Sequence, residues 1–404
     1  MKILVLNAGS SSLKFQLIEM DGETVIAKGN VERIGAGGHI KYTATGRDKI
    51  EYDADFPTHT EAFQEVAKLL TEGETRVIDS PDEIYAVGHR VLHGSELYKK
   101  ATWVTDKVIE DIDSLRELGP LHNPPQAATM RACRQVFGKD KPNVAVFDTS
   151  FHQTMPPKAY IFPIPYKYYE KYSIRRYGFH GTSHRYVSLR YFELTGIKDP
   201  TGTKLVVCHL GNGSSLSAIK DGKVIDTSMG LTPLDGFEMG TRCGGIDPSV
   251  VTYIENKEHL TPDQMSEIMN KESGLIGVSG ISSDHRDLIE ASEKGNERAE
   301  LALEILEYQV KKFIGAYAAA MGGLDAILFA GGIAENDPRT RKNICAGLEF
   351  LGVKVDEEEN KKLNRHEGVI STPDSRVKVM IIPTNEEIMI ARDTVRVVEE
   401  HNKS

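Results

Sequence analysis

Three short segments rich in glycine and small polar residues stand out in this chain of 404 residues. They are Asn7-Ala8-Gly9-Ser10-Ser11-Ser12-Leu13-Lys14, His209-Leu210-Gly211-Asn212-Gly213-Ser214-Ser215 and Gly331-Gly332-Ile333-Ala334-Glu335-Asn336. A Gly/Ser turn lets backbone N–H groups and hydroxyls approach an anion, and Lys14 adds a positive charge. Taken alone, the first turn reads equally as a tight hairpin of small polar residues. The second copy shifts that balance, because two such turns, one in each half of the chain, can grip a polyphosphate from both sides. The third follows an apolar strand, and open α/β sheets place ligands at the carboxyl ends of their strands.

Two arginines sit in glycine-flanked segments: Arg90 in Gly88-His89-Arg90-Val91-Leu92-His93 and Arg242 in Gly240-Thr241-Arg242-Cys243-Gly244-Gly245. A solvated arginine does not need a backbone that can approach a ligand closely, which is what flanking glycines allow. Asp148, ending the apolar run Val144 to Phe147, either orients one of these arginines or caps a strand end. His122, in Pro120-Leu121-His122-Asn123-Pro124-Pro125, and His180, in Tyr177-Gly178-Phe179-His180-Gly181-Thr182, lie in loops stiffened by Pro and Gly, where function concentrates more than packing. His180 and His184 have the i, i+4 spacing of a zinc pair, but Gly181 replaces the Glu of a metalloprotease, so zinc is not expected.

Common nucleotide motifs are missing. No G-x-x-x-x-G-K-[ST] occurs, and neither Gly35-Ala36-Gly37-Gly38 nor Gly211-Asn212-Gly213 completes G-x-G-x-x-G. His285-Arg286-Asp287-Leu288 imitates a protein-kinase catalytic loop but has Ser292 where Asn is required, so the imitation reads as chance. Ser283-Asp284-His285-Arg286 remains a candidate loop beside a nucleotide.

The elements that must carry these residues repeat. Ile3–Leu17 and Leu205–Ile219 each read as a strand, a Gly/Ser turn and a second strand, leading to Asp21-Gly22 and Asp221-Gly222, the dipeptide of a two-residue hairpin. A third strand follows each, at Thr24–Val31 and Lys223–Ser228. Further buried strands are expected at Ile84–Val87, Val144–Phe147, Ala326–Ala330 and Val377–Ile382. The apolar spacing from Ala299 through Met321 predicts a helix over 297–321 that stops at Gly322-Gly323. Thr384-Asn385-Glu386-Glu387 reads as a capping box for a final helix. The first domain should end near residue 150, where Pro156-Pro157 and Pro163-Ile164-Pro165 interrupt regular structure. The pattern is mixed α/β in two halves with a cleft between them.

With 49 Lys+Arg against 59 Asp+Glu, the net charge is −10, and 40% hydrophobic with 27% charged residues marks a globular chain. A generally basic nucleic-acid binder is excluded, and any anion must be held by local positive groups and backbone N–H. Cys133, Cys208, Cys243 and Cys345 lack metal-ligand spacing and read as reduced thiols. Asn7 and Gly9 cut the first apolar run too short for a signal peptide, and no stretch approaches a membrane span, so a cytoplasmic protein is expected.

Together these segments resemble the acetate kinase family, within the superfamily of sugar kinases, Hsp70 and actin. The resemblance runs from Val5–Lys14 through Gly88-His89-Arg90, Leu121–Pro124, Phe147-Asp148, Phe151–Thr154, Gly178–His184, His209–Gly213 and Met239–Arg242 to Pro383–Glu387, covering essentially the whole chain. It implies duplicated ribonuclease H-like α/β domains with an active-site cleft between them. One would span 1–150 joined by the C-terminal helix 385–404; the other, nucleotide-binding, would span 151–384. It also implies Mg²⁺ (with Mn²⁺ as an alternative), ATP and ADP as co-substrates, acetate and acetyl phosphate, and a homodimer with no nucleic-acid or membrane partner.

By the same resemblance Asn7 and Glu386 form the metal pair, and Lys14 touches nucleotide phosphates. His209, Leu210, Gly211, Asn212, Gly213, Asp284, His285, Arg286, Gly332, Ile333, Ala334, Glu335 and Asn336 bind ATP. Arg90 holds the substrate carboxylate in a pocket with Leu92, Leu121, Phe179 and Pro233; Asp148, His180, Arg242 and His122 are catalytic. Ala334 replaces a common Gly, which is expected to disfavour a positive φ there and alter adenine affinity. Leu92 replaces a frequent Val and is expected to shrink the acyl pocket towards acetate, one methylene being worth about 1–3 kcal/mol. A carboxylate acceptor is already ionised at neutral pH and needs no general base, unlike a sugar hydroxyl, so positioning and charge stabilisation dominate. Asp148 is therefore expected to orient an arginine or a metal-bound water. An Hsp70-like or actin-like ATPase would share the fold but not need Arg90, Arg242 and the His180 loop.

Overall fold

The computed structural model describes residues 1–403. The chain divides into two compact units, Met1–Ser150 with the segment from Asn385 onward, and Phe151–Thr384.

In the first unit β1 (Lys2–Ala8), β2 (Leu13–Glu19) and β3 (Thr24–Glu32) form an antiparallel meander, widened by β4 (His39–Ala44) and β5 (Ile50–Asp53). β6 (Ile84–Val91) lies parallel to β1 on its other side. The short β7 (Thr102–Trp103) closes that edge antiparallel to β8 (Asn143–Phe147), which is parallel to β6. In the second unit β9 (Lys204–Leu210), β10 (Ser214–Lys220) and β11 (Lys223–Thr227) form the meander. β12 (Ala326–Ala330), β13 (Gly368–Val369) and β14 (Lys378–Ile381) complete the sheet, with β12 parallel to both β9 and β14. The orders are β5-β4-β3-β2-β1-β6-β8-β7 and β11-β10-β9-β12-β14-β13. Each contains the same run of three antiparallel strands followed by two parallel ones, so the fold is a duplicated ribonuclease H-like α/β unit.

Alternation across a strand sends successive side chains to opposite layers. Val206 and Cys208 meet Leu303, Leu306 and Val310 of the helix Glu297–Met321. Leu205 and Val207 meet Val187 and Tyr191 of the helix Gly181–Thr195. Burial on both faces explains why β9 and β12 read as unbroken apolar runs. In the first unit Leu4 and Leu6 pack with Phe63 and Val66 of the helix His59–Thr71. The helix Glu386–Asn402 covers the opposite face, so close to β6 that a Cβ on Gly88 would lie 2.4 Å from Thr394 Oγ1 and 2.8 Å from Ile390 Cγ2.

Several local expectations change. The second hairpin is the two-residue type, with Asp221 and Gly222 at φ 54° and 72° and Lys220 facing Lys223. The first is longer: Glu19 faces Thr24 across four residues, and the positive φ angles fall on Gly22 and Glu23. The last helix is capped by Asn385, whose Oδ1 accepts from the Ile388 N–H at 3.1 Å, and not by Thr384. Ala334 needs no positive φ: it is buried inside the short helix Gly332–Asn336, a conformation alanine favours, so its replacement of Gly carries no backbone penalty. Gly88 serves helix packing against β6 rather than approach to a ligand. No helix among the described residues is long and apolar enough to cross a membrane.

Candidate functional site

In the first unit the carboxyl ends of three neighbouring parallel strands meet the start of the last helix. Asn7 stands near the end of β1, Arg90 near the end of β6, Asp148 directly after β8, and Glu386 opens the helix. Arg90 donates from Nε to Asp148 Oδ1 at 3.1 Å and from Nη2 to Oδ2 at 2.7 Å. Its Nη1 donates to Asn7 Oδ1 at 3.3 Å, and its Nε lies 3.9 Å from Glu386 Oε2. Burial works against the charged guanidinium, but Asp148 and Glu386 outweigh it and hold Arg90 more firmly protonated than a free arginine. Burial, aided by Asp148 and Glu387 and opposed by Arg90, pushes the Glu386 carboxyl up to about 7. Of the two alternatives for Asp148, the arginine clamp is what its side chain does, while its backbone N–H closes onto Val91 O at 2.9 Å.

Lys14 faces Asn7 across the first hairpin, and both line a cavity of about 260 Å³ with Gln16, Lys28 and Asn30. Leu92 is buried and Leu121 half exposed. His122 precedes the helix Asn123–Phe137 and donates its backbone N–H to Gly119 O at 3.0 Å. Two neighbours escaped sequence reasoning. Gln126 Oε1 accepts from the Leu92 N–H at 3.0 Å, and the buried Asn123 amide donates to His93 O at 3.0 Å, so this helix fixes the loop after Arg90. Polar side chains on the buried face of that helix were the available signal.

In the second unit the loops after β9 and Met239 converge with the start of the helix Gly181–Thr195. A Cβ on Gly213 would lie 3.3 Å from Arg242 Nη1 and 3.6 Å from His180 Nε2, which places a guanidinium and an imidazole side by side. Arg242 Nη1 donates to Pro233 O at 3.2 Å and contacts Met239 Sδ at 3.7 Å; no carboxylate pairs with it among the described residues. Burial pulls this guanidinium down from its ordinary range, the condition of a cation that an anion would stabilise. Gly240 brings its loop onto the second turn, its N–H donating to Asn212 O at 3.1 Å. His180 stacks on His209 with ring centroids 4.3 Å apart, and His209 Nδ1 lies 2.7 Å from Ser183 Oγ. Phe179 is buried beside them in sequence. Ser183 was not singled out as functional, because an isolated serine carries no sequence signal, and His184 was weighed only as a zinc partner of His180.

The nucleotide candidates gather round a cavity of about 680 Å³ lined by Gly211, Asn212, Asp284, Arg286, Gly332 and Ile333 among others, within the range of small-molecule sites. Arg286 forks onto Asp284 at 3.0 and 2.6 Å and holds that carboxyl down at about 2. His285 bonds Thr340 Oγ1 at 3.1 Å, and burial lowers its ring. Asn336 donates to Gly332 O at 2.6 Å. Asp337 and Arg365 also line the cavity but belong to none of the segments the sequence marked. Leu210 lies in the core instead, and Glu335 turns back, its Oε1 accepting from the N–H groups of Gly331 at 2.7 Å and Thr384 at 3.2 Å.

The oxygen donors of Asn7 and Glu386 suit a hard divalent cation, and the carboxylate form of Glu386, which burial disfavours, is the form such a charge would favour. A duplicated ribonuclease H-like fold, with a nucleotide-sized cavity and a guanidinium that no carboxylate pairs among the described residues, fits a phosphotransferase. The chain belongs to the Acetokinase family, whose model matches residues 2–392. It is 54% identical to an acetate kinase of Dictyoglomus turgidum over 99% of this chain and 98% of that one. The crystal structure of Porphyromonas gingivalis acetate kinase matches with a TM-score of 0.93 at 44% identity, covering 98% of this chain and 99% of that one. A propionate kinase from Francisella tularensis matches at 0.91 and 40% identity, with 98% and 99% covered. The family implies acetate, ATP/ADP and a divalent metal.

Proposed function

We propose that this protein transfers the γ-phosphoryl group of Mg-ATP to acetate, reversibly and in line, giving acetyl phosphate and ADP. The observation that carries this reading is the commitment of Asp148. Its carboxylate is buried and engaged at both oxygens by Arg90, so it serves the arginine and does not stand ready as the base that a hydroxyl acceptor requires. An acetate oxygen is already nucleophilic.

Arg90 then binds the substrate carboxylate. Arg242 and His180 neutralise charge on the equatorial oxygens of the transferring group, one such oriented donor being worth about 3 kcal/mol. The 680 Å³ cavity takes the adenosine end of the nucleotide. Asn7 and Glu386 would hold Mg²⁺, which would supply charge neutralisation at the phosphates. Leu92, Leu121, Phe179 and Pro233 bound the acyl group, with His122 nearby. A cytoplasmic homodimer with one domain at 1–150 plus the last helix and a nucleotide-binding domain at 151–384 completes the reading.

The likeness to a propionate kinase makes a preference for the three-carbon acid the second reading. Hydroxylamine trapping of acyl phosphate, with ATP, Mg²⁺ and acetate, propionate or butyrate in turn, separates the two. Product with acetate at the highest kcat/KM is expected. Marked preference for propionate overturns the Leu92 argument, and no product with any of the three overturns the acyl-kinase reading.

A further inference from the structure

A strand and a helix start of the second unit meet at one hydroxyl. Ser215 on β10 is fully buried, and its Oγ lies 2.9 Å from His180 Nδ1 and 2.7 Å from His184 Nε2. A serine hydroxyl carries a single proton, so it can donate to only one ring and must accept from the other.

His184 decides the direction. Burial, with His152 and His209 close by, holds its ring well below the ordinary histidine range, so it is neutral with one N–H. Its Nδ1 is buried and has no hydrogen-bond partner among the described residues. A buried N–H without an acceptor is rarer than an under-used acceptor, so the proton belongs on Nε2, where Ser215 accepts it. That leaves the Ser215 O–H to donate to His180 Nδ1, and a neutral His180 that accepts there carries its single proton on Nε2. That nitrogen shares the surface of Gly213 with Arg242.

We propose that His184 and Ser215 are positioning residues that set the tautomer of His180, so that the neutral ring already offers an Nε2–H to phosphoryl oxygens beside Arg242. Two features hold the ring in place for this. His180 adopts φ 57°, a left-handed conformation uncommon for a residue other than glycine, and its ring is stacked on that of His209. A preset donor needs neither an added proton nor reorientation when charge develops, the condition under which such donors are most effective. The catalytic half of the proposal rests on the acyl-kinase reading; the direction of the proton chain does not.

Imidazole ¹⁵N NMR of the full chain at neutral pH tests the chain of protons, with the His180 signals assigned by their loss in His180→Asn. His180 and His184 are both expected as the Nε2–H tautomer. Ser215→Ala should convert His180 to a mixture of tautomers and lower kcat about tenfold at unchanged KM for ATP, while Ser215→Thr, which keeps the hydroxyl, should recover both. An Nδ1–H or doubly protonated His180 in the unmodified protein, or a tautomer unmoved by Ser215→Ala, overturns the proposal. A shifted tautomer with unchanged kcat overturns its catalytic half alone, and absence of any acyl phosphate from the unmodified protein strikes the functional reading without touching the NMR result.

Discussion

Arg90 and Asp148 form a two-pronged ion pair, 3.1 and 2.7 Å long, in which the carboxylate is fully buried and the guanidinium is less than one-fifth exposed. Removing one member of such a pair leaves the other charge buried and uncompensated, which typically costs about 3–5 kcal/mol. Asp148→Asn keeps the shape and loses the charge. We expect kcat/KM for acetate to fall about a hundredfold, with Arg90 less firmly placed. Steady-state kinetics across acetate concentrations check this, and near-full kcat in the variant would remove both roles assigned to Asp148.

Arg242 is held by a carbonyl and a thioether and by no carboxylate among the described residues, so its charge is left for a substrate oxygen. Arg242→Ala should cut kcat about 10²–10³-fold while KM for ATP moves only a few-fold, because the contact strengthens as charge develops in transfer. A variant that raises KM for ATP at constant kcat would reassign Arg242 to ground-state binding.

Arg341 links stability to the nucleotide cavity. Fully buried, it donates to Ala334 O at 2.6 Å, to Asn360 Oδ1 at 2.7 Å and to Asn360 O at 2.6 Å, tethering the short helix that lines the cavity. Arg341→Met is expected to lower the thermal midpoint and weaken ADP binding, measured by calorimetry. In contrast, Ala334→Gly should cost about 1 kcal/mol of stability without improving affinity, since a helical position favours alanine. Tighter ADP binding by Ala334→Gly would show that the backbone there needs glycine after all.

Glu238 is buried with neither carboxyl oxygen hydrogen-bonded among the described residues, and burial pushes its carboxyl up to about 8. A carboxyl raised on folding contributes stability that is complete below the unfolded value of about 4.5 and is lost as pH rises through the folded value. Thermal midpoints followed from pH 5 to pH 9 should therefore fall more steeply for the unmodified protein than for Glu238→Gln, with the variant relatively more stable at the alkaline end. Parallel curves would mean that Glu238 titrates normally.

Local chemistry was legible wherever neighbours in sequence are neighbours in space. The helix Glu297–Met321 and its stop at Gly322, the strand Ala326–Ala330, and the Asp221-Gly222 turn follow from periodicity and from the few residues that tolerate positive φ. The strings at Arg90, His180 and Arg242 were visible for the same reason, as was the family they resemble. What a side chain touches was not legible. Arg90 and Asp148 are 58 positions apart, and His180 and Ser215 are 35 apart; only the parallel pairing of β6 with β8, and the packing of a helix start against β10, bring them within hydrogen-bond reach. The same holds for small departures. The identical dipeptide Asp-Gly closes a two-residue turn in one copy and sits inside a four-residue loop in the other, because strand register sets the loop length. Residue types and their spacing determined the elements, the duplication and the candidate groups. Tertiary packing decided which of those groups meet, which are buried, and hence which charges and protons they carry, since burial and neighbouring charge depend on distances that sequence separation does not encode.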